Sequence, residues 1–438
     1  MNSNAALAAE ADNEADNIAQ LSQSKPLNIC LLGYRSHPYC GGQGIYLKYL
    51  SAALADLGHR VDVISGAPYP QLDPRVRLIK IPGMNLFDKE PWPRAFSLRP
   101  QHLNQPADLL EYFSVMSGGF PEPRTFGMRV VKYLKTHQHD YDLIHDNQSL
   151  GFGLLQLQRM GIPTVATIHH PITRDLEIAL NAATKKQDRQ SIKRWYSFLK
   201  MQKFVVQRLK NITTVSECSR QDIAEAFRVN SDNIHLVYNG IDTQEFRPMP
   251  QIKRNPMRLM ATASADVPLK GLDYLLKAVA LLAPRYPDLE LLVLGQPKED
   301  GPTAKLMNKL KLHDRVTFVK GIPTEEIVQH YAEASIAVVP SLYEGFGLPA
   351  GEAMACGVPV ISTTGGALPE VVGDAGILVP TADEQAIADA IESLLKDPKR
   401  AKALGKAGRE HIENNLSWSL VATQMTSYYR EVLQDANR

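Results

Sequence analysis

Glu344 and Glu352 are two carboxylates separated by seven residues, with Gly345-Phe-Gly347 after the first and a helix-forming run around the second. The apolar run 335–339 that precedes them reads as a buried strand. The pair therefore lies on a strand–loop–helix unit, Glu344 in the loop and Glu352 in the helix. A helix that starts after a parallel strand presents unpaired N–H groups and the positive end of its dipole, which suits a phosphate. Carboxylates beside a phosphate site are useful only if they grip neutral hydroxyls. A diphosphate that carries a ribose and a sugar ring meets both demands.

Other residues with chemical capacity lie at strand ends. Gly41-Gly-Gln-Gly44 follows a first strand and opens a helix, where glycines let backbone N–H groups approach a phosphate. It is no dinucleotide fingerprint, because the third glycine would fall at Leu47, and a tight strand–helix turn explains it equally. His169 and His170 end the apolar run 163–168 and can donate to a hydroxyl or carbonyl, although a polar loop residue is the plainer reading of a lone histidine. Lys270-Gly271 precedes a helix at 272–282, and its ammonium is a phosphate ligand when read together with the downstream glutamates. Asp266 is placed to orient that lysine. Asp140-Tyr-Asp142 has metal-ligand spacing, but Asp142 leads directly into an apolar strand run, and a metal site is not expected there. The Cys residues, Cys30, Cys40, Cys218 and Cys356, are widely spaced and imply reduced thiols, with neither a disulfide framework nor a metal cluster.

Positioning these groups requires a scaffold, and apolar strand runs alternate with helical stretches throughout. Strands are expected at 27–33, 60–65, 141–145, 163–168, 211–216 and 235–237, and again at 257–262, 290–295, 316–319, 336–339 and 359–362. Such alternation implies parallel, doubly wound sheets with ligand loops at the strand C-termini. The 438 residues suffice for two domains, and 44% hydrophobic content is that of a globular protein. With 48 basic and 47 acidic residues, net charge selects no partner class, and nucleic acid is not implied. No apolar run is long enough to span a membrane, and the first 26 residues lack the features of a signal peptide. The segment 91–126, rich in Pro and Gly, reads as loop or insertion. Residues 185–210 carry nine basic residues and one acid, with Ile192, Trp195, Tyr196, Leu199 and Val206 close to one helical face. The stripe reads first as packing against the sheet, and the charge excess leaves peripheral contact with an anionic membrane as a second reading.

The Glu-x7-Glu stretch resembles that of the retaining GT-B glycosyltransferases of family 4, and the likeness runs through nearly the whole chain after the first two dozen residues. It implies an α/β GT-B fold: two Rossmann-like doubly wound domains facing across a cleft. The expected segments are a disordered tail (1–26), an acceptor-binding domain (27–247), a linker (248–256), a nucleotide-sugar domain (257–415) and a final helix (416–438) crossing back to the first domain. Tyr238-Asn-Gly-Ile-Asp242 resembles a tract that ends the family's first domain, and implies a hinge and cleft-lining element. The resemblance gives Glu344 and His169 catalytic roles. It gives donor binding to Gly41, Gly42, Ser264, Lys270, Gly345, Phe346, Gly347, Leu348 and Glu352, with Glu352 on the nucleotide ribose. Relatives usually place an Arg five residues before Lys-Gly, where this chain has Ala265; Ser264 and backbone N–H groups would replace part of it. His170 stands where Asp or Gly is frequent, a departure that bears on acceptor choice. The implied reaction is sugar transfer from a nucleoside-diphosphate donor to a glycan, lipid-linked or small-molecule hydroxyl. It proceeds with retention, without cofactor or metal, in the cytoplasm. The alternatives are an epimerase or hydrolase on the same fold, an inactive homologue, and a two-lobed sugar-binding protein.

Overall fold

The computed structural model describes residues 25–37, 42–88, 90–183, 185–263 and 265–436. Cys40 and nearly all of the expected tail fall outside them. The chain runs β1 (Asn28–Gly33), α1 (Gly42–Asp56), β2 (Arg60–Ser65), β3 (Arg77–Lys80), α2 (Pro91–Ala95), α3 (Pro100–Leu103), α4 (Pro106–Met116), α5 (Glu122–His137), β4 (Leu143–Asn147), α6 (Phe152–Arg159), β5 (Thr164–Ile168), α7 (Thr173–Ala182), α8 (Lys186–Trp195), α9 (Leu199–Val206), β6 (Asn211–Thr214), α10 (Glu217–Phe227) and β7 (Ile234–Leu236). It continues through β8 (Asn255–Thr262), α11 (Leu272–Leu282), β9 (Glu290–Leu294), α12 (Pro302–Leu310), β10 (Val316–Val319), α13 (Thr324–Glu333), β11 (Ala334–Val339), α14 (Leu348–Ala355), β12 (Val360–Thr363), α15 (Leu368–Val372), β13 (Ile377–Val379), α16 (Glu384–Lys396), α17 (Pro398–Asn415) and α18 (Trp418–Ala436).

Two compact units result. One holds the described residues up to Val215 with Arg220–Val237 and Ser419 onward; the other holds Ser216–Ser219 and Tyr238–Trp418. The first contains a seven-stranded sheet in the order β3-β2-β1-β4-β5-β6-β7, every neighbouring pair parallel. The second contains a parallel six-stranded sheet in the order β10-β9-β8-β11-β12-β13. Both are covered by flanking helices, and most of their strand residues are buried. In each sheet the strand order reverses once, between β1 and β4 and between β8 and β11. Crevices for ligands open at such reversals, outside the strand C-termini.

Several expectations change. Residues 91–126 are helical rather than loop: α2, α3 and α4 each begin with proline at N1, where the missing N–H costs nothing and the fixed φ favours a helix. The expected linker is shorter, because Asn255 and Pro256 already belong to β8, with Asn255 in register with Ala334. The stretch Tyr238–Arg247, expected in the first domain, packs with the second unit. There the Arg409 guanidinium donates to the Phe246 and Thr243 carbonyls at 2.8 and 3.1 Å. The basic stretch is two helices, α8 and α9, separated by a 3-10 turn at Tyr196–Phe198. In α9, Leu199, Met201, Val205 and Val206 are buried against the sheet, whereas α8 buries nothing. No described helix is long and apolar enough to cross a membrane. Asp142 is committed to strand β1, accepting from the Asn28 backbone N–H at 2.7 Å.

Candidate functional site

In the second unit, the loops that leave β8 and β11 are fastened to each other at the strand reversal. The Leu342 N–H donates to the Leu269 carbonyl at 2.8 Å. Beside that link, the Lys270 ammonium lies 2.7 Å from Glu344 Oε1, and the Ser341 hydroxyl donates to the same oxygen at 2.8 Å. The carboxylate is largely enclosed, its side chain 13% exposed. Two glycines make the pairing possible. Gly271, at φ +61°, caps α11, and a Cβ there would sit 2.0 Å from the Pro340 carbonyl oxygen. Gly366, at φ +64°, lets its turn ride on Glu344: a Cβ would meet the Glu344 carbonyl at 2.2 Å, and the Ala367 N–H donates to that carbonyl at 2.9 Å. Gly271→Ala therefore combines left-handed strain with a backbone clash and is expected to destabilise the chain by more than about 2 kcal/mol. Urea unfolding measures it, and an unchanged midpoint would refute this account of the loop.

Glu344 is followed by a turn in which Phe346 is buried and Gly347 caps α14. Among the described residues, the backbone N–H groups of Gly345, Phe346, Gly347 and Leu348 make no hydrogen bond. Four successive donors at a helix N-terminus form an anion-binding cradle. Glu352 projects from the second turn of α14, half-buried. Burial, and secondarily the nearby Glu245 carboxylate, raise its carboxyl to about 7. Its helix is seated by the 238–242 tract: a Cβ on Gly351 would lie 2.7 Å from the Ile241 side chain, and the Asp242 carboxylate accepts from the Gln244 and Glu245 N–H groups at 2.8 Å each.

Asp266 does not orient Lys270. Its carboxylate accepts from the Lys298 and Thr303 N–H groups at 2.6 and 2.9 Å, tying the β8–α11 loop to the loop before α12. With its oxygens committed to two backbone donors, it holds loop conformation instead. Ala265, at the position where relatives carry an Arg, is partly buried and packs on the apolar core. Ser264 lies outside the described residues.

In the first unit a second group gathers at the β1/β4 reversal. Asn147, at the end of β4, donates through Nδ2 to the Gln43 carbonyl at 2.8 Å, and its Oδ1 lies 2.7 Å from His169 Nε2. His169 is thereby linked to the start of α1, which contains Gly42; Gly41 lies outside the described residues. The His169 N–H donates to Gln148 Oε1 at 2.7 Å, and its ring meets the Tyr46 ring edge-on at 4.7 Å. Enclosure by these neighbours pushes the imidazole down to about 3, so His169 is neutral at physiological pH. His170 instead lies 3.6 Å from Asp175.

The tract Asp146-Asn147-Gln148-Ser149 is the element that sequence reasoning missed. Asp146 is buried and accepts from the Ser149 and Leu150 N–H groups at 2.8 and 3.1 Å, curling the loop so that Asn147 and Gln148 hold His169. Four consecutive polar residues running across the C-terminal end of β4 are the available signal.

Comparison with known proteins bears on both groups. The family model "Glycosyl transferases group 1" matches residues 244–411, and "Glycosyltransferase Family 4" matches residues 40–245. The chain is 44% identical over 411 residues to an MMP alpha-(1->4)-mannosyltransferase of Mycolicibacterium hassiacum, covering 93% of this chain and 98% of that one. It is 28% identical over 410 residues to a D-inositol 3-phosphate glycosyltransferase of Kribbella flavida, covering 89% and 90%. Among solved structures, a sucrose-phosphate synthase from Thermosynechococcus elongatus superposes with a TM-score of 0.68 at 26% identity, over 93% of this chain and all (100%) of that one. A glycosyltransferase involved in lipopolysaccharide biosynthesis gives 0.64 at 18% identity, over 91% and 99%, a likeness of fold alone.

Proposed function

Because this chain belongs to glycosyltransferase family 4 and has the GT-B fold, we propose that it moves a mannosyl group from a nucleoside-diphosphate donor to a glycan hydroxyl with retention of anomeric configuration. The observation that carries this reading is the cradle of four unengaged N–H groups from Gly345 to Leu348, set beside the Lys270–Glu344 pair. The cradle and the Lys270 ammonium supply positive charge for a diphosphate leaving group. The ammonium has three protons, and Glu344 takes one. Glu344 accepts from donor-sugar hydroxyls, and Glu352 accepts from the ribose diol. In the first unit His169, neutral and held by Asn147 and Gln148, is assigned to acceptor binding. In the reaction the bond from the anomeric carbon to the diphosphate breaks, and the new bond to the acceptor oxygen forms on the same face. The acceptor's proton passes to the departing phosphate oxygen. In this reading no divalent ion is needed, since N–H groups and Lys270 provide the charge. Mannose is preferred to other sugars because a relative 44% identical over nearly its full length carries the name of a mannosyltransferase.

The test is product analysis with GDP-mannose, UDP-glucose and ADP-glucose, each with and without oligomannoside acceptors and with a chelator present. An α-linked mannoside from the GDP donor is expected. Donor turnover that is independent of acceptor, or a β-linked product, would refute the reading.

A further inference from the structure

Behind α14, within the second unit, lies a cavity of about 630 Å³ that the donor-site reading does not use. Its floor is apolar, formed by Met249, Ile252, Met257, Ile336, Leu394 and Leu395. Its remaining polar character is of one sign: Arg254, Lys402, Lys406 and Arg409 line it, and no acidic side chain does. Two of these cations are answered from their own helix, Arg409 by Glu413 at 2.5 Å and Lys406 by Glu410 at 3.4 Å. Arg254 and Lys402 have no carboxylate partner among the described residues. Arg254 is half-buried and reaches only the Gly357 carbonyl, at 3.3 and 3.4 Å, long for a guanidinium bond. Arginine is rarely withdrawn from water without an anion to meet it.

A cavity of this size, walled by aliphatic side chains and carrying a few convergent polar groups, has the make-up of a small-molecule site. An uncharged apolar ligand would leave the guanidinium unmet, and a bare inorganic anion would leave the apolar floor wet. We propose that the cavity binds an amphiphilic anion, an aliphatic chain of medium length ending in a carboxylate or phosphate. The head rests between Arg254 and Lys402, and the chain lies along Met257, Ile336 and Leu394. Cys356 and Gly357, which close α14, form part of the wall, so the ligand touches the end of the helix that carries Glu352.

The full chain is titrated with decanoate and decyl phosphate below their micelle concentrations, followed by calorimetry and thermal shift, with decanol and inorganic phosphate as controls. Saturable binding of the two amphiphiles is expected, with decanol and phosphate each weaker by about tenfold or more, the scale of one charge-assisted contact. Whichever head binds more tightly distinguishes an acyl carboxylate from a phosphorylated lipid fragment. Arg254→Met should weaken decanoate about tenfold while leaving decanol unchanged, and Ala401→Trp, which fills the cavity, should remove both. Circular dichroism verifies that each variant is folded. Decanol binding as tightly as decanoate, binding undiminished in Ala401→Trp, or no saturable binding would each overturn the proposal.

Discussion

Lys270→Met is expected to lower kcat/KM by about 10²–10³-fold, the scale for removing one preorganised donor aimed at charge that develops in the transition state. Its ammonium is held 2.7 Å from Glu344 by loops that are themselves bonded together. The substitution also leaves the Glu344 carboxylate enclosed, with only the Ser341 hydroxyl to satisfy it. A loss of roughly 1–3 kcal/mol in stability should therefore accompany the loss of activity. The two effects can be separated. Lys270→Met combined with Glu344→Gln removes the stranded charge, and the double variant should regain most of the stability and none of the turnover. A single variant that keeps activity within a few-fold of the parent would show that the leaving group is stabilised elsewhere.

The second large effect concerns Glu352, and it runs in opposite directions for stability and for function. Its carboxyl is raised to about 7, mainly by burial, whereas an unfolded chain would titrate near the ordinary value of 4.5. The folded state thus binds this proton more tightly than the unfolded state. The associated stability is fully present below pH 4.5 and is lost as pH rises through about 7. Glu352→Gln carries no such charge, so at pH 8 it should be more stable than the parent by about 1–2 kcal/mol, with the two equal near pH 4.5. Donor affinity should move the other way. A carboxylate accepts from both hydroxyls of a diol and an amide oxygen from one, so the variant should bind nucleotide about 10–100-fold more weakly at pH 8. Parent affinity should fall between pH 8 and pH 6, and the variant's should not. Thermal unfolding and calorimetry across that range decide it: equal melting curves and equal affinities at pH 8 would remove Glu352 from the site.

What could be read from the chain followed from burial. Strands covered on both faces are apolar runs, so most were visible. The exceptions are β3, Arg77-Leu-Ile-Lys80, which is short, at the sheet edge and charged at both ends, and β13, which has three residues. The prolines of 91–106 suggest loop because proline breaks helices internally; here Pro91, Pro100 and Pro106 each start a helix, and Pro93 sits in the first turn of α2. Glu344 and Lys270 were recognisable singly, but their pairing spans 74 positions and depends on the Gly271 and Gly366 turns, which no local pattern announces. Asp266 is illegible for the same reason: its partners, Lys298 and Thr303, come from the loop after β9 and the first turn of α12. Neither the Asn147–His169 contact nor the curl imposed by Asp146 leaves a periodic trace.

The helix α18 sets the order in which this protein can mature. Its Tyr429 hydroxyl bonds to buried His145 in β4, and its Thr426 lies 3.1 Å from His59 ahead of β2, while Val421, Ala422 and Met425 are buried. A growing polypeptide has made everything from Tyr238 to Trp418 before it makes those residues. On the ribosome the later half can therefore close while the earlier half still waits with an uncovered sheet, the reverse of the usual amino-terminus-first sequence. A premature stop ahead of α18 would still release a chain whose opening half had never been sealed.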